Sequence, residues 1–251
     1  MVRSIKSILL AAAVAVAFMS SAAQADQIIQ LRSGNGPLNG VDSAITMLVG
    51  PADTFFPNTF TPADFAAARN GAQARIVPRN SSWIDPATFS DPAAQWITDI
   101  PQFVQGGQPA GGGATLGSSV LFAIDFTITD AFITAAEIDF DFSVDNGLGA
   151  AFGGPNEGLF INGTALSGST SGGHFTFEDN IFRNDIAPLL TTGTNTLYIN
   201  MTDVGTPSGL LFSATITTQG SETAAISEPG IVATFGLGLI GLGLARRKRP
   251  A

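Results

Sequence analysis

The 251-residue sequence contains no cysteine, a single histidine and, between its two ends, no lysine. Without cysteine there are no disulfide staples and no thiol chemistry, so a fold of this sequence must rest on its hydrophobic core. A lone histidine, His174, rules out a His-rich zinc site, a Cys/His site and a two-histidine proton relay. No serine stands in a Gly-x-Ser-x-Gly elbow, which removes the commonest hydrolase signature. Of 11 Lys and Arg, six lie at the extremes (Arg3, Lys6, Arg246, Arg247, Lys248 and Arg249). The stretch between them holds five arginines against 20 Asp and Glu, a formal charge of −15. Such a surface repels nucleic acid and anionic bilayers but is compatible with cations or neutral glycans. Long helical periodicity is also missing outside the terminal apolar segments, leaving short alternating runs as the main structural signal.

The N-terminus has the order of a secretory signal. Arg3 and Lys6 precede an apolar run from Ile8 to Met19, and Ala23-Gln24-Ala25 supplies a small-x-small cleavage site. Residues 1–25 are therefore expected to be removed after Ala25, with an uncleaved anchor as the second reading. The C-terminus is built in three parts. Ser227-Glu228-Pro229-Gly230 leads into a Gly/Leu-rich uncharged segment, residues 230–245, and Arg246-Arg247-Lys248-Arg249 follows. As a helix this segment would be about 24 Å long, short of a hydrocarbon core of roughly 30 Å. Bilayer thinning and snorkelling of the flanking cations would accommodate it. The basic run acts as a stop-transfer signal and favours a cytoplasmic C-terminus. Gly236-Leu-Gly-Leu-Ile-Gly241 matches a dinucleotide fingerprint, but it follows no strand and lies inside the apolar segment.

The three-part tail resembles the PEP-CTERM sorting signal, with Glu228 and Pro229 carrying the match and Ser227 in place of its first proline. The resemblance implies processing near Glu228-Pro229 by an exosortase-like enzyme, after transient membrane anchoring. It also implies a destination on the surface of a Gram-negative bacterium or in its exopolysaccharide matrix, where extracellular polysaccharide would be a partner.

Between the ends, residues 26–220 read as one domain, with a linker at 221–227 and a sorting region at 228–251. Strands are expected at Gln27–Leu31, Ala44–Val49, Arg75–Pro78, Gly158–Asn162, Gly173–Glu178, Thr196–Asp203 and Leu210–Thr218. Two longer ones are clearest. Val120, Phe122, Ile124, Phe126 and Ile128 share one face of the first, and Ile138, Phe140, Phe142 and Val144 share one face of the second. A short helix should begin after Thr61, with Pro62 in its first position and Asn70-Gly71 closing it. Asn162-Gly163 is a hairpin signal, and the Gly106–Gly113 stretch is loop. The predicted fold is all-β, an antiparallel β-sandwich of jelly-roll type, flanked by the N-terminal signal helix and the C-terminal transmembrane helix.

The pattern is clearest over residues 83–218, and within it the stretch from about Trp83 to Ile216 resembles the galactose-binding-like jelly-roll sandwich. The residues that carry the likeness are Gln95-Trp96-Ile97, Val144-Asp145-Asn146, Leu159 to Gly163, Gly193-Thr-Asn-Thr-Leu197 and Pro207-Ser-Gly-Leu210. Most are turn residues, so the likeness speaks to fold and transfers no binding site.

One constellation invites chemistry. Glu137, Asp139, Asp141 and Asp145 alternate along a strand, with same-face neighbours about 6.6 Å apart. A solvated outer face is the first reading, calcium ligation the second and glycoside hydrolysis the third. For calcium, Asp145, Asn146 and the carbonyls of the following Gly-rich loop are the expected ligands, because the ion wants six to eight oxygens. Trp83 and Trp96 belong to the core in the first reading and form a sugar-stacking platform in the second. His174 is expected at a strand start, half exposed. Asn80, Asn162 and Asn200 head glycosylation sequons, a short and frequent motif. No catalytic set, metal site or cofactor is assigned. The sequence therefore points to a non-enzymatic structural or matrix-interaction protein, with a carbohydrate-binding module as the alternative and a glycoside hydrolase behind it.

Overall fold

Period-two alternation decides the architecture. The computed structural model describes residues 25–99, 103–104, 108–109, 117–205 and 207–221. Its strands are β1 (Ala25–Arg32), β2 (Val41–Ala52), β3 (Ala72–Ile76), β4 (Ile97–Thr98), β5 (Phe103–Val104), β6 (Gln108–Pro109) and β7 (Ser118–Ile128). They continue with β8 (Phe132–Asp145), β9 (Gly147–Leu148), β10 (Leu159–Ile161), β11 (Thr164–Ala165), β12 (Asp179–Arg183), β13 (Gly193–Thr202) and β14 (Gly209–Ser221). One helix, α1 (Pro62–Arg69), lies between β2 and β3. Residues 26–220 form one compact unit.

Apart from the small β5–β6 pair, the strands join one sheet in the order β11-β10-β13-β7-β2-β3-β4-β14-β8-β12, with β1 on β14 and β9 on β13. The central ladders β13–β7 and β2–β7 are antiparallel. Strands from both ends of this order fill a single core, so the sheet curls over on itself. The alternating sets of β7 and β8 named above all enter that core, as do Leu197, Ile199 and Met201 of β13 and Leu210, Phe212, Ala214 and Ile216 of β14. The two layers of the expected sandwich are thus one continuous, curled antiparallel sheet.

Both outer faces are partly covered. On β7, Leu121 and Ala123 turn away from the main core, yet they are buried, because α1 lays Phe65 and Ala68 over them with Phe160 and Tyr198. The helix starts where Thr61 and Asp64 exchange side-chain and main-chain hydrogen bonds in a capping box, with Pro62 in the first turn. On β14, Leu211 is covered by a lobe holding Val77, Trp83, Phe89, Ala94 and Trp96. Arg32 of β1 pairs with Asp91 of this lobe at 3.1 Å, and Val77 N donates to Trp96 O at 2.9 Å within it.

The strand expected at Gly173–Glu178 is displaced. That segment is loop, and pairing with β8 begins only at Asp179. Its polar groups fasten the tryptophan lobe instead: Ile84 N donates to Phe175 O, and Ser90 N donates to a Glu178 carboxylate oxygen at 3.1 Å. Asn162-Gly163 does form a tight hairpin turn, with φ of 52° and 84°. It leads into β11, a two-residue strand too short to show any period. Residues 1–24 and 222–251 lie outside the described residues, and with them the flanking helices, Glu228, Pro229, Arg246, Arg247, Lys248 and Arg249. Ala25 opens β1. Among the described residues no helix is long and apolar enough to cross a membrane.

Candidate functional site

The register of β12 on β8 builds a polar surface with an exposed aromatic ring beside it. Asn180 faces Asp141 and Phe182 faces Asp139, so all four side chains project from the same side of the sheet. The Asn180 amide nitrogen donates to Asp139 Oδ1 at 2.6 Å and to Asp141 Oδ1 at 2.7 Å. One amide thus holds two carboxylates, whose second oxygens make no hydrogen bond to any described residue. Partial burial raises the Asp141 pKa, the Asn180 bond lowers it, and the nearby charges of Asp139 and Glu178 raise it again. Phe182 is 52% exposed on the terminal strand of the sheet order. Neither Asn180 nor Phe182 stood out in the sequence, because β12 was expected to end before them.

The carboxylate ladder does not continue as a solvated face. Glu137 and Asp139 are exposed and Asp141 half-buried, but Ser143 and Asp145 are buried beneath the loop and lobe that cross the strand end. Ser143 Oγ donates to His174 O at 2.6 Å, and Trp83 Nε1 donates to Asp145 Oδ2 at 2.8 Å. Asn146 Nδ2 caps Asp145 Oδ1 at 2.8 Å, while Asn146 Oδ1 accepts from Val204 N. Both oxygens of Asp145 are therefore engaged within the protein, each accepting one hydrogen bond. Burial pushes the Asp145 carboxyl up to about 6, against the downward pull of the Trp83 bond.

Behind Asp145 lies a second acidic group that the sequence did not mark. Asp203 follows the last residue of β13 and is fully buried. Its pKa is pushed up to about 7, first by burial and then by the charges of Asp53, Asp99 and Asp145, with the Gly205 N–H opposing. Asp99 is likewise raised by burial, partly offset by hydrogen bonds from Thr98 and Ser118.

The tryptophans do not offer a stacking platform. Trp83 and Trp96 are 2% and 1% exposed, with ring centroids 4.2 Å apart. His174 sits in the loop before β12, half-buried, with Nδ1 3.8 Å from Asp179 Oδ2 and its ring edge-on to Phe177. A cleft of about 430 Å3 opens between α1 and the β10–β11 turn, lined among others by Phe60, Phe65, Arg69, Asn162 and Tyr198. Its polar rim is spent on itself, since Arg69 clamps Asp125 through both Nε and a terminal nitrogen and Asn162 Nδ2 is held by Leu189 O and Asn195 Oδ1.

No protein-family model and no curated protein matches the sequence. Among solved structures, a native family 35 carbohydrate binding module from Clostridium thermocellum aligns at 14% identity, covering 41% of this chain and 81% of that one, with a TM-score of 0.24. The isomalto-dextranase of Arthrobacter globiformis T6 complexed with panose aligns at 9% identity, with a TM-score of 0.31. That alignment covers 78% of this chain but only 33% of the enzyme. Alignments with TM-scores of 0.24 and 0.31 transfer neither ligand nor activity to this chain.

Proposed function

We propose that this chain is an exported cell-surface or exopolysaccharide-matrix interaction protein, processed at its C-terminal sorting signal by an exosortase-like enzyme. Its β-sandwich would bind neutral extracellular polysaccharide without transforming it. The signal-like N-terminus and the three-part tail ending in Arg246–Arg249 support the address, in a Gram-negative bacterium. The observation that carries the binding reading is the Asp139–Asn180–Asp141 bridge beside exposed Phe182. An aromatic face accepts the apolar C–H side of a pyranose, and fixed carboxylate oxygens accept hydrogen bonds from its hydroxyls. The local acidity excludes anionic polymers as ligands. The same bridge argues against glycoside hydrolysis there, because the Asn180 amide occupies the space between the two carboxylates that a scissile bond and water would need.

Affinity electrophoresis of the full-length protein through gels cast with neutral and with anionic polysaccharides tests this reading. Retardation by a neutral polymer, lost in Phe182→Ala and in Asp139→Asn but kept in Phe132→Ala on another exposed site, is the expected result. If no neutral polymer retards the wild type, a purely structural role replaces glycan binding. The address is tested by intact mass of protein recovered from the cell surface. Mature chains beginning at Asp26 and ending near Glu228-Pro229 are expected, and chains that all retain residues 230–251 would remove the sorting claim.

A further inference from the structure

The loop from β13 to β14 is bracketed by two fully buried polar side chains, Asp203 and Ser208. Asp203 Oδ1 accepts from Gly205 N at 3.0 Å, but Asp203 Oδ2 has no hydrogen-bond partner, and neither does Ser208 Oγ. Both atoms aim at one point. A Cβ placed on Gly117 would lie 2.1 Å from Ser208 Oγ and 2.7 Å from Asp203 Oδ2. A side chain at residue 117 would have to displace both, and the two oxygens approach the backbone from the same side. Asp53 joins them: its N–H donates to Gly117 O at 3.2 Å, and its Oδ1 is also buried without a partner. Ser119 locks the node, accepting from Asp203 N at 3.0 Å and donating to Thr54 O.

The charges that face Asp203 are Asp53, Asp99 and Asp145, all negative, and among the described residues no Lys, Arg or His acts on it. A fully buried carboxylate among three others needs either a cation or a proton. No three His, Asp or Glu side chains of the described residues meet as a ready-made cage. The unpartnered atoms at this node are all oxygens, which disfavours zinc and its relatives, commonly held by nitrogen and sulfur. Oxygens suit calcium, which accepts carboxylate, hydroxyl, carbonyl and water ligands in flexible combinations.

We propose that Asp203 Oδ2, Ser208 Oγ and Asp53 Oδ1 are the protein's side-chain ligands for a calcium ion at the β13–β14 end of the sandwich. Main-chain carbonyls and water complete the shell. Neutralising the node joins Asp53 and Thr54, residues 117–119, and Asp203 with Ser208, and so stabilises the end of the sheet where β7, β13 and β14 meet.

The full-length protein, stripped with a chelator, is melted at pH 8 with calcium chloride or with sodium chloride at equal ionic strength. Calcium at saturation should raise the Tm by roughly 5 °C beyond the sodium control. Asp203→Asn keeps the acceptor for Gly205 N while removing the charge, and should abolish the calcium-specific rise. Asp53→Asn and Ser208→Ala should each weaken calcium binding by about tenfold or more in titration calorimetry. Asp145→Asn should leave it in place. Equal shifts with calcium and sodium would overturn the site, and so would an undiminished calcium response in a folded Asp203→Asn.

Discussion

Trp83 Nε1 donates to Asp145 Oδ2 across 2.8 Å, joining the lobe that covers β14 to the end of β8. The bond links an otherwise irregular segment to the sheet through a buried carboxylate. Trp83→Phe preserves most of the ring but removes the donor, leaving the Asp145 charge with one fewer partner. A loss of about 1–3 kcal/mol in urea unfolding is expected. Pairing it with Asp145→Asn in a double-mutant cycle should return a coupling of at least about 0.5 kcal/mol. Strictly additive effects would mean that the indole acts by packing alone.

The raised carboxyls fix the direction of the pH response. Asp145 at about 6 and Asp203 at about 7 stand above the unfolded value of about 3.9. The folded state therefore holds protons that the unfolded chain releases, and stability falls as pH rises through this range. With chelator present, the urea midpoint should decrease from pH 5 to pH 8. Asp203→Asn and Asp145→Asn should each flatten the profile and stabilise the protein at pH 8. A midpoint that rises over this interval would contradict the buried acidic node.

Much of the fold was legible in the sequence, and the reason is visible in particular residues. The apolar sets of Val120 to Ile128 and Ile138 to Val144 recur at every second residue, so their core-facing sides followed from period two, whereas the burial of Leu121 and Ala123 on the other side of β7 depends on α1. Thr61, Pro62 and Asn70 marked α1 because capping is local chemistry. Long-range events left no such mark. Nothing near Asp145 in sequence announces that Trp83, 62 residues away, will bury it. Phe175 and Phe177 alternate as a strand would, yet that segment is drawn off to fasten the tryptophan lobe, moving β12 to Asp179–Arg183. Asp203 and Ser208 meet beside Gly117, and Asp53 reaches that residue through its backbone, only because β2, β7 and β13 pair, so this neighbourhood could not be read from spacing.

Helix α1 depends on its cap. Eight residues are too few to persist as an isolated helix in water, and α1 is held by the Thr61–Asp64 box and by Phe65 and Ala68 beneath it. Thr61→Ala should cost about 1 kcal/mol. Hydrogen exchange provides the sharper readout: amides of α1 should lose protection while those of β13 keep theirs. Unchanged exchange in α1 would show that packing alone holds the helix.

The Gly193-x-Asn195-x-Leu197 stretch is a fold device that sets the register of β13. Gly193 has a φ of +95°, which only glycine adopts freely, and it lets the chain turn from the Ala187–Leu189 segment into the strand. Asn195, 1% exposed, then secures the turn with both ends of its amide. Its nitrogen donates to Thr191 O at 2.6 Å and Gly193 O at 3.0 Å, and its oxygen accepts from Thr191 N and from Asn162 Nδ2. Asn162 in turn accepts from Thr196 N at 2.9 Å, so the β10–β11 turn and the start of β13 share one network. Leu197 is thereby placed opposite Ile124 on β7 and Ile161 on β10, inside the core. Asn195→Ala strands several buried groups at once and should cost about 3 kcal/mol. Asn195→Asp keeps the acceptor but loses both donations and sets a charge against two carbonyls, so it should be no milder. Asn70→Ala, which removes only an exposed bond to Ala66 O, serves as the control and should stay within about 1 kcal/mol. If Asn195→Ala proves as mild as that control, the register of β13 is set by its apolar face alone.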